Sequence, residues 1–226
     1  MIILFYLLFF SATKEIKDDY YSARKKMIEE QIIRRGVKDT LVINAMLTVK
    51  RHLFVPKNLR SLAYEDYPLP IGYDQTISQP YIVALMTELL KVEKKHKVLE
   101  VGTGSGYQAA ILSLLTDSVF TIEIIPELAQ SAKKRLDSLG YKNVFVKIGD
   151  GYKGWKEHAP FDRIIVTCAP EEIPPPLLDQ LSIGGRMVIP LGSYYQELVL
   201  ITKDSKGVST KSIIPVRFVP MLREKN

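Results

Sequence analysis

A doubly wound α/β fold, with a helical N-terminal extension and an antiparallel C-terminal edge hairpin, is predicted by three features of this sequence. From Lys97 onward, short apolar runs alternate with helical periodicities. The first run is followed at once by a glycine-rich turn, Gly102-Thr103-Gly104-Ser105-Gly106. Two final strand-like segments, Glu197 to Thr202 and Lys211 to Val219, flank a Lys206-Gly207 turn.

Taken in order, Ile2 to Phe10 is an unbroken apolar run. It falls short of the ~20 residues of a membrane span. It has the length of a signal-peptide core, and Ser11-Ala12-Thr13 supplies small residues behind it, yet no Lys or Arg precedes it. Met27, heading a good helix, is an alternative functional start. Residues 1–20 are therefore read as a leader and 21–226 as a single domain, with helices and a loop in 21–80 and the α/β core in 81–226. Asp19 to Arg35 reads as an amphipathic helix with Met27, Ile28, Ile32 and Ile33 apolar and Gly36 as its stop. A second helix runs from an Asp39 cap through Leu41, Val42, Ala45, Met46 and Val49. Tyr67 to Gln79 is rich in turn formers. Pro80 opens the next helix, where a missing N–H costs nothing, and Ile82, Leu85, Met86, Leu89 and Leu90 form its buried face.

The core strands are Val98–Val101, Val119–Ile124, Val144–Ile148, Arg163–Thr167 and Arg186–Pro190. Helices lie around Ala109–Leu115, over Pro126–Leu139 with Gly140 closing it, and over Leu177–Leu181 behind the stiff Pro174-Pro175-Pro176. Alternation of this kind implies a parallel sheet with right-handed crossovers and ligands beyond the carboxyl ends of its strands. Trp155 and Phe161 are expected to pack under the sheet, and Cys168 to be a small buried residue.

Composition removes several function classes. A single cysteine forms no internal disulfide and no cysteine metal cluster, and the three histidines (His52, His96, His158) are scattered, so no metal is expected. The net charge of +6 would suit a polyanion. Yet its densest run, Lys91, Lys94, Lys95, His96 and Lys97, sits at a predicted helix end, where cations complement the helix dipole and stay solvated. No nucleic-acid partner and no stable membrane association are expected.

The central motif is Val98-Leu99-Glu100-Val101-Gly102-Thr103-Gly104-Ser105-Gly106-Tyr107. Glycines after a strand let the backbone turn sharply and approach a ligand. Gly104 to Ala109 also satisfies the dinucleotide pattern G-x-G-x-x-A, so the glycines alone do not choose a cofactor. Charge does. A pyrophosphate over this turn would be repelled by Glu100, whereas the ammonium and sulfonium of S-adenosylmethionine would be attracted. Glu123, ending the second strand, suits both ribose hydroxyls of either cofactor. Asp150 after the third strand can accept from an adenine amino group, with Gly151 letting the loop close over the ring. S-adenosylmethionine is the cofactor expected, with Gly102, Thr103, Gly104 and Gly106 around it.

Several stretches are similar to protein-L-isoaspartate O-methyltransferases: Pro70-Ile71-Gly72, Thr76-Ile77-Ser78-Gln79-Pro80, Leu99 to Gln108, Gly149-Asp150-Gly151, Pro160-Phe161-Asp162, Ile165-Val166-Thr167 and Val216-Arg217-Phe218-Val219-Pro220. The similarity spans about Met27 to Met221 and omits the leader. It implies a cytoplasmic, metal-free enzyme that methylates L-isoaspartyl, and weakly D-aspartyl, carboxylates of damaged proteins; a monomer is expected. The ester then collapses to a succinimide whose hydrolysis returns some normal aspartate. The resemblance assigns Ser78 as the active-site residue and counts Thr76, Ile77 and Ser78 with the cofactor-contacting loop. A carboxylate, with a pKa near ~4, is already the nucleophile at neutral pH, so no general base is needed. Holding it in line with a methyl carbon is worth up to ~7–11 kcal/mol. Ser78 and Gln79 could instead merely cap the helix at Pro80. Rival readings are a nucleic-acid methyltransferase, a silent cofactor-binding module and an NAD-dependent oxidoreductase. The first lacks a D-P-P-Y-like motif, having Thr167-Cys168-Ala169-Pro170 in that place, and the last is disfavoured by Glu100.

Overall fold

A computed structural model of the chain describes residues 20–224. The leader, its small-residue site and Asp19 lie outside them. Helix α1 (Tyr21–Met27) runs into a π-turn at Ile28–Ile32 and a 3-10 turn at Ile33–Arg35, and Gly36 ends it in the left-handed region at φ 94°. The wider turn shifts the apolar stripe. Met27, Ile28 and Ile32 are buried as expected, but Ile33 is 47% exposed, whereas Arg24 is buried. Helix α2 (Thr40–Thr48) is capped by Asp39 Oδ1, which accepts from the N–H groups of Leu41 and Val42 at 2.9 and 3.3 Å. Leu41, in that first turn, faces solvent instead of the core.

The loop predicted over 67–79 contains a hairpin of β1 (Leu69–Gly72) and β2 (Gln75–Ile77). Its tip, Tyr73-Asp74, has φ values of 55° and 56° at two non-glycine residues, as a type I′ turn demands. Helix α3 (Pro80–Leu90) follows, with Met86 and Leu90 of its expected face fully buried and Ile82, Leu85 and Leu89 half-buried.

The core then alternates as predicted: β3 (Lys97–Val101), α4 (Tyr107–Ser113), β4 (Ser118–Glu123), α5 (Pro126–Ser138), β5 (Val144–Ile148), β6 (Phe161–Val166), α6 (Pro175–Asp179), β7 (Leu181–Leu191), β8 (Gln196–Asp204) and β9 (Gly207–Val216). The last helix starts within the proline run, because proline is at home in a first helical turn, and Leu181 already belongs to β7. Sheet order is β5-β4-β3-β6-β7-β8-β9, parallel through β7 and antiparallel at β7–β8 and β8–β9.

Alternate residues of each strand feed the two faces. Val98, Ile165 and Val188 pack with the N-terminal helices, α3 and α4, while Leu99, Val101, Ile164 and Val166 pack with Phe161, Leu177 and Leu181. Phe161 is fully buried, and Trp155 packs edge-on against Phe120 with ring centroids 5.5 Å apart.

Where the sequence predicted strand as far as Val219, β9 stops at Val216. Gln196 takes both backbone groups of Phe218: its Oε1 accepts from Phe218 N–H (2.6 Å) and its Nε2 donates to Phe218 O (3.1 Å). Ala169 then pairs with the tail through Ala169 N–H to Val219 O (2.8 Å) and Met221 N–H to Ala169 O (2.9 Å). The tail is thus drawn across the carboxyl end of β6. Chain order reverses between β3 and β6, so the crevice for a ligand opens at the carboxyl ends of these two strands.

Candidate active site

The glycine turn leaves β3 by donating the N–H groups of Gly102 and Thr103 to Ile122 O, at 2.8 and 3.2 Å. Gly102 has φ 99°, and a Cβ there would meet Thr167 Oγ1 at 2.4 Å. Gly151, across the crevice, would place a Cβ 2.4 Å from Val101 Cγ1. Glycine is required at both positions because these side chains lie directly against the backbone. Gly106 borders none of the cavities at the crevice; at φ 85° it starts α4 and rests on Leu136, so its role is to launch the helix.

Three cavities meet here. A slot runs between Gly102, Gly104, Glu123, Ile124, Gly151 and Met221. A small chamber deeper in is lined by Ile77, Ser78, Glu100, Thr103, Tyr107 and Gln108. A groove of about 460 Å³ opens outward between Ser78, Gln79, Ile82 and the tail from Ile214 to Val219. Thr76 and Thr167 border all three, and Ser78 stands between the chamber and the groove.

The predicted acids occupy different situations. Glu100 is fully buried, and neither carboxylate oxygen has a hydrogen-bond partner. Burial pushes its carboxyl up to about 8, and neighbouring Glu123 adds in the same direction. Thr121 partly offsets this shift, but its hydroxyl is shared with Thr103 Oγ1 at 2.7 Å. Glu100 is thus a protonated acid at neutral pH before a ligand arrives, not the standing anion expected from sequence. A cation is welcomed by release of that proton, whereas the ionised form repels a pyrophosphate.

Glu123 accepts from Gly104 N–H at 2.8 Å and from Ile125 N–H at 3.0 Å, one bond on each oxygen. A second lone pair remains on each for ribose hydroxyls. Burial raises its pKa in spite of these donors. Asp150 has a second role beside the one expected. Its Oδ1 caps the short turn Gly151–Lys153 through Tyr152 N–H (2.9 Å), and its side chain borders a separate cavity beyond Pro220 and Met221. Of the pair, only Gly151 borders the slot.

Ser78 is no helix cap. The N-cap of α3 is Gln79, which makes no side-chain capping bond because its Nε2 donates to Asp66 O and Asp66 Oδ1, at 3.0 and 2.8 Å. Among the described residues Ser78 Oγ has no partner, so its hydroxyl is free for a ligand. Thr167 escaped prediction. Its Oγ1 donates toward Gly102 O (2.7 Å) and Val101 O (3.1 Å), tying the end of β6 to the glycine turn. The signal for it is register: Val101 pairs with Val166, so the next residue must lie beside Gly102. Cys168 lines the slot, and shielding from water raises its thiol pKa, which makes it a poor nucleophile. No group of residues that could hold a metal occurs among the described residues.

The slot and chamber at the crevice are lined by carboxylates and threonines, and no Lys or Arg lines either, which favours a positively charged donor over a phosphate; Arg135, which donates to Ser105 O, borders a different cavity. The chain therefore falls in the class of S-adenosylmethionine-dependent methyltransferases. Comparison with known proteins narrows the class. Residues 22–226 match the family protein-L-isoaspartate(D-aspartate) O-methyltransferase. The chain is 53% identical to the protein-L-isoaspartate O-methyltransferase of Picosynechococcus sp., covering 90% of this chain and 92% of that one. It is 56% identical to protein-L-isoaspartate O-methyltransferase 2 of Syntrophobacter fumaroxidans, covering 90% and 87%. Among solved structures, one protein-L-isoaspartate O-methyltransferase superposes with a TM-score of 0.79 at 32% identity, over 87% of this chain and 65% of that one. A putative enzyme of the same kind from Plasmodium falciparum, in complex with S-adenosyl-L-homocysteine, gives 0.78 at 27% identity, over 89% and 99%. The chain belongs to the protein-L-isoaspartate(D-aspartate) O-methyltransferase family.

Proposed function

We propose that the chain transfers a methyl group to the free α-carboxylate of L-isoaspartyl residues, and more weakly to D-aspartyl carboxylates, in damaged proteins, with Ser78 at the point of transfer. One observation carries this: a serine hydroxyl without a partner stands between an acid-edged chamber and an open groove. S-adenosylmethionine, when bound, supplies the electrophilic methyl carbon. The residues present fit it. Gly102 and Gly151 leave room where a Cβ would collide, Glu123 keeps lone pairs for a ribose, and the unpaired Glu100 can take an ammonium. Thr76, Ile77, Ser78, Thr103 and Gly104 complete the lining.

Ser78 Oγ donates to one oxygen of the incoming carboxylate, which orients the other toward the chamber. Thr167 holds the Gly102 carbonyl and fixes the wall against which this happens. None of the histidines borders the chamber or the groove, in keeping with a nucleophile that is ionised at neutral pH. The chain therefore contributes orientation and exclusion of water, worth up to ~7–11 kcal/mol in favourable cases.

Selection of isoaspartate follows from its connectivity. The main chain of the substrate passes through the β-carbon, so the free carboxylate sits directly on Cα, and that placement best lets the groove hold the backbone while the oxygen reaches Ser78. Reaction in the cytoplasm, where the donor is made, and action as a monomer complete the proposal. In the basic run, Lys94 pairs with Asp117 at 2.8 Å and Lys97 Nζ donates to His158 O at 2.9 Å, which fits a solvated helix end.

Incubation with methyl-labelled S-adenosylmethionine and an isoaspartyl peptide, beside its aspartyl twin, tests the proposal. Base-labile label on the isoaspartyl peptide alone is expected. Equal labelling of both peptides, or transfer only to RNA, would overturn it.

A further inference from the structure

The groove that leads to Ser78 carries charge of one sign. Arg35 and Arg217 both line it, and no carboxylate does. Arg35 is held in place: Nη1 lies 3.0 Å from Asp66 Oδ2, and the guanidinium sits 3.5 Å over the Tyr81 ring. Asp66, which also accepts from Gln79, neutralises part of its charge from behind. Arg217 is exposed and makes no ion pair among the described residues. It stands on the tail that Gln196 and Ala169 draw over the crevice, so its backbone is fixed while its charge is unspent.

We infer that Arg217, supported by Arg35, makes this enzyme select isoaspartyl sites flanked by acidic residues. The inference rests on the function proposed above and adds a preference among its substrates. Ser78 is a neutral donor, so the groove offers a substrate no other fixed positive charge. Carboxylates one or two residues from the isoaspartate would lie within the field of the arginines, close enough to pair with a guanidinium fork. Such contacts act before and during transfer alike, so they lower KM and leave kcat little changed.

Three isoaspartyl hexapeptides that differ only in flanking Glu, Gln or Lys provide the test. At low salt, kcat/KM is expected to fall in the order Glu, Gln, Lys, by about three- to tenfold across the set, carried by KM. The spread should shrink in ~1 M salt, where the Debye length is ~3 Å. Arg217→Lys should keep the order and Arg217→Glu should reverse it. A structural role for Arg217 would instead depress all three peptides together, and that result overturns the inference. Equal kcat/KM for the three with the unaltered enzyme overturns it as well, while leaving the function intact. No transfer to any of them overturns the function and the inference with it.

Discussion

Two stretches of backbone meet at the crevice and are built on opposite principles. The turn after β3 is buried, tied to β4 by short hydrogen bonds and composed of glycines that steric limits prescribe. The β1–β2 hairpin is short, half-exposed, and bends through two non-glycine residues at positive φ. The first half of the site is made by local backbone geometry, so its residues cannot change. The second is made by assembly, its groove drawing on Arg35, the hairpin, Thr167 and the tail around Arg217. Donor binding and substrate choice are thereby separated onto parts with different tolerance to substitution.

The sharpest test of that contrast is Gly102→Ala. The new Cβ would sit 2.4 Å from Thr167 Oγ1 on a backbone at φ 99°. Destabilisation of ~2–4 kcal/mol is expected from strain plus clash, with loss of donor binding. Thermal unfolding and equilibrium dialysis measure both. Adding Thr167→Ala should recover the part due to the clash and leave the part due to φ. If the single variant binds donor normally, the turn is not the rigid element described.

Ser78→Ala probes the other half. No intramolecular hydrogen bond is lost, so the melting temperature and donor affinity should hold, while kcat falls by roughly 10²-fold, as for loss of one oriented donor. Rapid-quench turnover and calorimetric titration separate the two readouts. Equal loss of donor binding and turnover would show that Ser78 belongs to the cofactor half.

Glu100→Gln sits between the halves. The folded chain holds the Glu100 proton up to about pH 8, whereas the unfolded chain releases it near 4.5. The folded state therefore binds more protons within that window, and stability falls as pH rises through it, then levels off. The glutamine variant removes this slope, so its melting temperature should match the parent near pH 5 and exceed it near pH 8. Donor affinity should drop about tenfold or more, because an ammonium no longer meets an ionisable acid. In the parent, donor binding below pH 8 should release a proton, visible as a dependence of calorimetric heat on buffer.

Legibility in the sequence follows the same divide. Glycines, strand periodicity and acids at strand ends are local signals, and they placed the sheet, the turn, Glu100 and Glu123. What escaped depends on neighbours remote in sequence. The raised pKa of Glu100 is set by its burial at the floor of the chamber, among Ile77, Tyr107 and Gln108, not by its position in a motif. The cap that Asp150 Oδ1 gives its own turn through Tyr152 N–H is likewise absent from the motif reading. Ile33 fails because a π-turn shifts the helical stripe, and Thr167 becomes visible only once β6 is known to lie beside β3. The tail beyond Val216 looks like strand, having the right residues, until the side chain of Gln196 claims the backbone of Phe218.

The smallest effect concerns the hairpin tip. Tyr73 and Asp74 both hold left-handed φ values that an Asn-Gly pair adopts with less strain. Tyr73→Asn combined with Asp74→Gly should stabilise the folded chain by about 0.5–1 kcal/mol if the tip serves only as a turn. Tyr73 is 56% exposed, so little buried contact is forfeited. A rise of a few degrees in melting temperature is expected for a shift of this size in a domain this long. A fall instead would mean that the strained pair is held for a contact made outside this chain, at the rim of the groove where a protein substrate would first touch. The hairpin would then be a recognition element in its own right rather than a neutral support for Thr76 and Ser78.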